Sequence, residues 1–350
     1  MMHSTCRTMI ASAAIAASAA IFIAGPSPAQ EALEFKIAHP FPSTHYLSVH
    51  GVDVWLEKIR ERLGERVSFT VYPAQQLGKA ADSLELAETG VAEIVVTPVS
   101  NHAARLPLSS VAELPGMFSD ICAGSRASLA LSQEGGLLDE HDFAPNNVLS
   151  IWNVSVPTYK VITASKRVNT LEDVAGLKLR TTGSAMDLTA SALGAVGVRM
   201  PSAELYQAAS RGTVDGAVYF YTGMPPYDLQ SVFKHAAEGV SLGSAHAAFL
   251  INRDIFQALP ADIKQAFLEA GAETTDSLCK WMAENDRVIR DTMVEEDGLE
   301  IIQLSEEQVR LWEERVETVA TDWAKGLGEQ GKPAQEVLDA YRAEVKKAGG

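Results

Sequence analysis

Short apolar segments and longer amphipathic segments alternate along the chain between residues 35 and 97. Residues 35–39, 67–72 and 92–97 are bounded by turn residues and predict strands. After the first strand, Thr44 is expected to cap a helix whose apolar positions recur at helical spacing. These positions are Leu47, Val52, Trp55, Leu56, Ile59 and Leu63. With a further helix at 80–88, the β-α-β-α order favours a largely parallel sheet covered by helices.

The middle of the chain is expected to cross to a second sheet. Strands at 147–152 and 158–163 leave little room for a helix between them. Beyond the crossing, strands and helices alternate again, and Pro260 opens a helical segment that reaches about residue 296. The other elements predicted there are strands at 177–181, 214–220 and 245–251, and helices at 184–196, 202–211, 306–327 and 334–347.

These elements predict an α/β fold of two lobes, joined by hinge strands and by one long helix that spans both lobes. Lobe I comprises residues 30–155 plus 245–285. Lobe II, together with the C-terminal helices, comprises residues 156–244 plus 286–350. Two sheets connected in this way are typical of a receptor whose lobes close around a ligand.

The first 29 residues are expected to be a signal peptide rather than part of the fold. Arg7 supplies a basic start, residues 9–25 form a short alanine-rich apolar segment, and residues 27–29 fit a small-x-small cleavage site. A transmembrane anchor is the alternative, but the apolar segment is short and the cleavage site follows it. We therefore expect an exported protein that begins near Gln30, with no membrane insertion of the mature chain.

Acidic residues outnumber basic ones in this chain. The formal net charge is −16, and it becomes −17 when Arg7 leaves with the signal peptide. Such a chain has no basic surface for nucleic acid or anionic lipid, and it repels anionic ligands at long range. Any site that binds an anion must therefore be locally positive.

Two cysteines, Cys122 and Cys279, remain after removal of the signal peptide. They could form one disulfide in an oxidising compartment. Their apolar and helical neighbours are equally compatible with buried free thiols, so the sequence leaves the pairing open.

Sequence motifs of enzymes and metal sites give little support for catalysis. We find no P-loop, no GxGxxG after a strand, no HExxH and no CxxC. His39, His45 and His50 come nearest to a metal cluster, but their spacings of six and five place them around a strand end and a helix start. A secreted hydrolase and a metal-binding receptor are kept as alternatives, and we expect no cofactor.

Arg180 has the most suggestive local context for binding. Residues 177–179 alternate as a strand, and residues 182–184 indicate a turn that caps a helix, so Arg180 would lie where a strand ends and a helix begins. Ligands of open α/β sheets bind at this edge. A guanidinium matches a carboxylate with two parallel hydrogen bonds. An ordinary surface arginine is the alternative.

Three successive aromatic residues, Tyr219, Phe220 and Tyr221, end a predicted strand. Because side chains alternate across a strand, all three cannot face one core. Either Phe220 or the tyrosine pair must point towards another element, solvent or a ligand, and the sequence does not decide which.

Six segments in colinear order carry a resemblance to a known family. The chain is similar to the periplasmic solute-binding subunits of tripartite ATP-independent periplasmic (TRAP) transporters, in the dicarboxylate-receptor (DctP-like) group. The matching segments are 36–42 (KIAHPFP), 71–78 (VYPAQQLG), 113–118 (ELPGMF), 171–181 (LEDVAGLKLRT), 203–216 (AELYQAASRGTVDG) and 252–260 (NRDIFQALP). The resemblance implies a two-lobed periplasmic-binding-protein fold and delivery of a bound organic acid to membrane permease subunits, without catalysis. It also implies that Arg180 holds the ligand carboxylate.

The chain departs from the family at the segment after residues 214–216. Many members carry a Glu-Asn-Pro segment there, whose asparagine also contacts the carboxylate, whereas this chain has residues 217–221 (AVYFY). We infer that Tyr219, Phe220 or Tyr221 contacts an apolar or aromatic part of the ligand. Lys160 is a possible second cation.

The resemblance and the strand ends suggest further contacts and two kinds of ligand. The additional candidate contacts are Trp152, Phe41, Tyr46, Thr97 and Asn101. A monocarboxylate with an apolar or aromatic body is the expected ligand, and a zwitterion such as ectoine, held by aromatic faces, is the alternative.

Overall fold

A computed structural model describes Met1 and residues 32–350 of the chain. The predicted signal peptide therefore lies outside the described residues, apart from Met1. Residues 32–350 form one compact unit. In this part of the chain, no helix is both long and apolar enough to cross a membrane.

The described chain contains eleven strands and eleven α-helices, with shorter helical turns between them. The strands are β1 (Leu33–Ala38), β2 (Val67–Tyr72), β3 (Ile94–Pro98), β4 (Val148–Ser155), β5 (Lys160–Thr163), β6 (Lys178–Thr181), β7 (Val196–Arg199), β8 (Gly216–Tyr219), β9 (His235–Glu238), β10 (His246–Asn252) and β11 (Glu300–Gln303). The helices are α1 (Asp53–Leu63), α2 (Ser83–Glu88), α3 (Ile121–Ser132), α4 (Leu171–Val174), α5 (Ser184–Ala192), α6 (Ser202–Ser210), α7 (Arg253–Ala258), α8 (Ala261–Glu296), α9 (Glu306–Val316), α10 (Val319–Gly328) and α11 (Ala334–Lys347).

Two mixed sheets organise these elements. The first sheet has the strand order β2-β1-β3-β10-β4, and the second has the order β11-β9-β5-β8-β6-β7. In the first sheet β1, β2 and β3 are parallel, as the β-α-β-α order predicts, and β10 is antiparallel to its neighbours. The two-lobed α/β fold expected from the sequence is therefore confirmed, with one sheet in each lobe.

Three connections run between the sheets. The segment after β4 leads from the first sheet into β5 of the second, and the segment after β9 leads back into β10. The third connection is α8, whose 36 residues extend over about 54 Å at 1.5 Å per residue. Near its start, α8 accepts a hydrogen bond at the Phe267 carbonyl from Trp55 in lobe I. Near its end, Asp286 accepts hydrogen bonds from Thr222 in lobe II.

The exact boundaries of the two lobes stay a prediction. The C-terminal helices contact both lobes, because Trp323 of α10 donates a hydrogen bond to Ser110 of lobe I at 2.8 Å. Tyr341 of α11 likewise donates to the Gly124 carbonyl at 3.1 Å. In contrast, α9 reaches lobe II, where Gln308 accepts a hydrogen bond from the Leu171 N–H at 2.8 Å.

Several predicted element boundaries are wrong. Thr44 lies in a turn and caps nothing, because the helix begins at Leu47 with a π-helical stretch, Leu47–Val52, that runs into α1. The helix predicted at 184–196 ends at Ala192, since Gly194 takes a positive φ of 79° and the chain then enters β7. The helix predicted at 306–327 is divided between α9 and α10. The sequence patterns also missed α3, β9 and β11.

Cys122 and Cys279 form a disulfide that joins α3 to α8. The sequence left this pairing open. The bridge closes a loop across 157 residues and ties the middle of α8 to lobe I. Because α8 continues into lobe II, the bridge helps fix the long helix to one lobe while its other end contacts the second.

Removing this disulfide is expected to destabilise the protein by about 2–4 kcal/mol, because the unfolded chain gains freedom when a long loop is opened. Urea unfolding of the Cys122→Ala/Cys279→Ala variant, compared with the wild type, measures this loss. Wild-type protein treated with a reductant should match the variant. Equal stability of the oxidised wild type and the variant would show that the bridge contributes nothing.

Candidate ligand-binding site

A cavity of about 60 Å³ lies between the two lobes. Lobe I contributes residues from the loops after β1 and β3, and lobe II contributes residues from β6, β8 and the start of α6. The lining residues on which the following paragraphs depend are Phe41, His45, Tyr46, Gln75, Asn101, Tyr159, Arg180, Ser202, Tyr219, Phe220 and Tyr227. A ligand in this cavity touches both lobes at once.

Arg180 lies near the end of β6 and is almost completely buried, with 1% of its surface exposed. Its Nε donates to the Met200 carbonyl at 3.0 Å, and its Nη2 donates to the Ser202 hydroxyl at 3.0 Å. The guanidinium carbon lies 5.2 Å from the centre of the Tyr219 ring. Within the described residues these two hydrogen bonds use two of five N–H donors, so three remain for a ligand.

The cavity has one permanent positive charge and no permanent negative charge among its described lining residues. No carboxylate of residues 32–350 lies within salt-bridge distance of Arg180. Glu113 is a buried neighbour, and burial raises its pKa to about 8 even though the positive charge of Arg180 lowers it. Glu113 is therefore mostly protonated at neutral pH, and it does not neutralise the guanidinium.

The three successive aromatic residues separate in a way that strand alternation did not predict. Tyr219 and Phe220 both line the cavity, whereas Tyr221 lies in a different cleft. The reason is that β8 ends at Tyr219, so the alternation of side chains stops before Phe220. The Tyr221 hydroxyl donates to Glu238 at 2.6 Å.

Lobe I supplies an aromatic wall to the cavity. The Phe41 and His45 rings stack with centroids 4.5 Å apart, and the His45 and Tyr46 ring centroids lie 4.2 Å apart. Tyr46 meets Phe220 of lobe II edge to face at 6.1 Å. Burial raises the pKa of Tyr46 well above its usual value, so its hydroxyl stays protonated. The hydroxyl has no partner among the described residues and is available to a ligand.

Of the ten residues suggested by the sequence, six line this cavity and four do not. The six are Phe41, Tyr46, Asn101, Arg180, Tyr219 and Phe220. Trp152 is fully buried in lobe I and stacks on Phe249, with ring centroids 5.1 Å apart. Thr97 is also fully buried, and its hydroxyl lies 2.9 Å from the Ser83 hydroxyl. Both side chains belong to the interior of lobe I.

Lys160 lines a second cleft together with Tyr221, Glu238 and Asp286. Its Nζ donates to the Thr158 carbonyl at 2.8 Å and lies 4.8 Å from the centre of the Tyr221 ring. Burial lowers the pKa of Lys160, and the charges of Asp286 and Glu238 partly oppose this shift. Lys160 therefore belongs to a network around the lobe connections, and Arg180 remains the charged residue of the first cavity.

The sequence reasoning missed several cavity residues, Ser202 among them, and gave another a different role. Tyr159, Tyr227 and Gln75 come from loops or short turns, where no periodicity marks a buried face. Tyr159 lies against Phe220, with ring centroids 5.6 Å apart. His45 was considered only as a metal ligand, but it lines the cavity. In the described chain, no group of three or more potential ligands could hold a metal ion.

The sequence also contains a serine motif that was not recognised from the sequence alone. Residues 239–243 (GVSLG) have the GxSxG spacing of a nucleophile elbow. They connect β9 to β10, and no helix follows Ser241, whereas an elbow is a strand-to-helix turn. The spacing therefore carries no catalytic meaning here.

A two-lobed α/β fold with a small cavity between the lobes is typical of solute-binding receptors. The model of the bacterial extracellular solute-binding proteins of family 7 (DctP) matches residues 38–326. The chain belongs to this family of periplasmic receptors for TRAP transporters. Its members bind organic acids, work with a membrane permease and are not enzymes, so the hydrolase alternative is wrong.

The similarity to individual proteins is consistent with membership of this family. The C4-dicarboxylate-binding periplasmic protein DctP of Rhodobacter capsulatus is 28% identical over 269 residues, which cover 75% of this chain and 78% of the relative. A TRAP solute-binding protein of Rhodoferax ferrireducens, solved with copurified benzoate, has a TM-score of 0.83 at 24% identity, covering 91% of this chain and 98% of that one. A receptor of Bordetella bronchiseptica with bound (R)- and (S)-mandelate has a TM-score of 0.80 at 23% identity, covering 90% of this chain and 99% of that one.

Proposed function

We propose that this chain is the periplasmic receptor of a TRAP transporter for a small monocarboxylate with an apolar or aromatic body. Arg180 pairs with the carboxylate, and the aromatic side chains contact the rest of the molecule. The mature receptor, cleaved from its signal peptide near Ala29, delivers this acid to the membrane permease subunits.

The observation that carries this proposal is a buried arginine without a carboxylate partner. An unpaired buried charge is costly, and removal of one partner from a buried ion pair typically costs 3–5 kcal/mol. Arg180 lines the cavity and keeps three N–H donors for a ligand. A ligand carboxylate supplies the missing negative charge and accepts those hydrogen bonds.

The number of charges favours a monocarboxylate over a dicarboxylate. Among the described lining residues, no second lysine or arginine accompanies Arg180, and Lys160 lies in the other cleft. A second carboxylate would be buried without a cation, which is unfavourable. The benzoate and mandelate found in the two structural relatives are monocarboxylates with an aromatic body.

The size of the cavity sets a condition on this ligand. Its volume of about 60 Å³ is below the roughly 150 Å³ of an apolar cavity that takes up benzene. An aromatic acid therefore fits only when the lobes stand further apart than they do here. Smaller monocarboxylates, such as a short 2-oxo acid, are therefore compared with the aromatic acids in the binding experiment.

Calorimetry and thermal shift with five compounds test the proposal. We expect benzoate or mandelate to bind with micromolar affinity and to raise the melting temperature, because a ligand that binds only the folded state stabilises it. Succinate should bind at least about 100-fold more weakly, since one of its carboxylates lacks a cation. Pyruvate and ectoine complete the set.

Each other outcome contradicts a different part of the proposal. Tight binding of succinate would refute the single-charge argument. Tight pyruvate binding with silent aromatic acids would keep the monocarboxylate and refute the aromatic body. A response to ectoine alone would establish the zwitterion alternative, in which the aromatic faces hold a cationic group.

A further inference from the structure

His45 is held in one orientation at the start of the π-helical stretch. Its Nδ1 accepts a hydrogen bond from the Leu47 N–H at 3.1 Å. Its carbonyl accepts a hydrogen bond from the Ser48 N–H at 2.8 Å. Stretches of π-helix are rare and frequently occur at functional sites. The His45 ring is therefore positioned by the backbone of the same helix start that contributes to the cavity wall.

The hydrogen bond at Nδ1 determines where the imidazole carries its proton. In a neutral imidazole one nitrogen accepts and the other donates, and here Nδ1 is the acceptor. Nε2 therefore carries the hydrogen. Among residues 32–350, Nε2 has no hydrogen-bond partner, although His45 lines the cavity. This nitrogen is a fixed donor that is available to a ligand.

The imidazole is neutral in the pH range in which a periplasmic receptor works. Burial, together with the charge of the neighbouring His39, lowers the pKa of His45 to about 3. A neutral donor suits an uncharged oxygen, such as a hydroxyl or a keto group. It does not provide the positive charge that a second buried carboxylate needs.

His45 and Arg180 belong to different lobes and are connected by a series of contacts between aromatic rings. Starting from Tyr219, which lies under the guanidinium, the ring contacts run to Phe220 at 5.0 Å and then to Tyr46 at 6.1 Å. The last contact runs from Tyr46 to His45 at 4.2 Å. Three ring contacts thus separate His45 from the ring beneath the arginine.

We propose that His45 is a specificity residue whose Nε2–H donates to an uncharged oxygen on the far end of the ligand while Arg180 holds the carboxylate. This inference rests on the proposed function and narrows it to acids with a second, neutral oxygen, such as a phenolic hydroxyl. The two contacts come from opposite lobes, so a hydroxylated acid stabilises the closed receptor more than its parent acid does.

Binding measurements on the wild type and two His45 variants, each with three related acids, test this role. Calorimetry with benzoate, 3-hydroxybenzoate and 4-hydroxybenzoate gives the affinity gained from the hydroxyl group. In the wild type, the better hydroxybenzoate should bind about fivefold more tightly than benzoate, as one hydrogen bond of ordinary strength provides. In His45→Asn and His45→Phe, this advantage should fall below about twofold. Because His45 also belongs to the aromatic wall, its replacement changes the affinity for benzoate too, so the hydroxyl advantage is taken for each variant relative to its own benzoate affinity.

The choice of variants separates recognition from helix capping. Asparagine is a good acceptor for the N–H groups at a helix start, so His45→Asn retains that contact but loses the Nε2 donor. The control His50→Asn changes a histidine that stacks on Trp281 with ring centroids 4.0 Å apart, and it should retain the full hydroxyl advantage. A merely structural role of His45 would weaken benzoate and the hydroxybenzoates equally.

Two results would overturn the inference while leaving the proposed function in place. One is a wild-type protein that binds benzoate but gains nothing from either hydroxyl group. The other is a hydroxyl advantage that persists in both His45 variants. Absence of binding for all three acids would instead refute the proposed aromatic ligand, and the role of His45 with it.

Discussion

Arg180→Ala is expected to weaken binding of the monocarboxylate by about 100-fold or more. The variant loses charge-assisted hydrogen bonds worth about 1.5–3 kcal/mol and leaves the ligand carboxylate buried without a partner. Every 1.4 kcal/mol corresponds to a factor of ten in affinity. Calorimetry with the tightest acid found for the wild type measures the loss.

Arg180→Lys is expected to restore little of this affinity. Lysine keeps the charge but cannot present the planar donor pair of a guanidinium. It also cannot reproduce the two contacts, to the Met200 carbonyl and the Ser202 hydroxyl, that orient Arg180. A lysine variant with wild-type affinity would show that charge alone is sufficient and that the geometry is not used.

The matched control is Arg199→Ala on the neighbouring strand β7. Arg199 is largely exposed and pairs with Asp187, and it is not among the residues that line the cavity. Its removal should leave ligand affinity unchanged, since an exposed ion pair contributes little. Unaltered affinity in a folded Arg180→Ala variant would exclude Arg180 as the carboxylate anchor.

The sequence predicted the position of Arg180 at the cavity better than it predicted which aromatic residues line the cavity. Arg180 lies near the end of a short strand that is followed by a helix, and these signals are local. The orientation of an aromatic residue in a strand depends instead on which face is covered. All eight residues of β4 are buried, so no pattern could show that Trp152 faces the interior of lobe I rather than the cavity.

Loops and edge strands were the least predictable parts of the fold. His45, Tyr159 and Tyr227 reach the cavity from turns, where contacts far along the chain decide the conformation. β9 and β11 have only four residues each, and they pair with each other at one edge of the second sheet. Such short segments carry too few positions for a strand period to be recognised.

Acidification is expected to destabilise the protein between about pH 6.5 and 4.5, because buried histidines remain neutral in the folded state. Burial lowers the pKa values of His39 and His102 to about 4, and those of His45 and His246 to about 3. In the unfolded chain, histidines take up protons below about pH 6.5. The unfolded state therefore binds more protons, and stability falls as the pH falls through this range.

Two buried carboxyl groups oppose this effect. Burial raises the pKa of Glu113 to about 8 and that of Asp142 to about 6, so the folded state holds protons that the unfolded chain has released. These two groups add stability as the pH falls. Near pH 5.5, unfolding lets the four histidines take up nearly four protons and makes the two carboxyl groups release nearly two. The net uptake of about two protons corresponds to a slope of roughly 3 kcal/mol per pH unit in the free energy of unfolding.

Urea unfolding followed by tryptophan fluorescence at pH 7.5, 6.5, 5.5 and 4.5 measures this slope. Variants can separate the contribution of the histidines from the opposite contribution of the carboxyl groups. His246→Gln removes a histidine whose two ring nitrogens have no partner among the described residues. It should reduce the net proton uptake on unfolding by about one and so make stability less dependent on pH. Glu113→Gln removes an opposing carboxyl group and should steepen the slope by about one proton. Stability that is independent of pH over this range would show that the buried histidines titrate normally and that the lobes admit water to them.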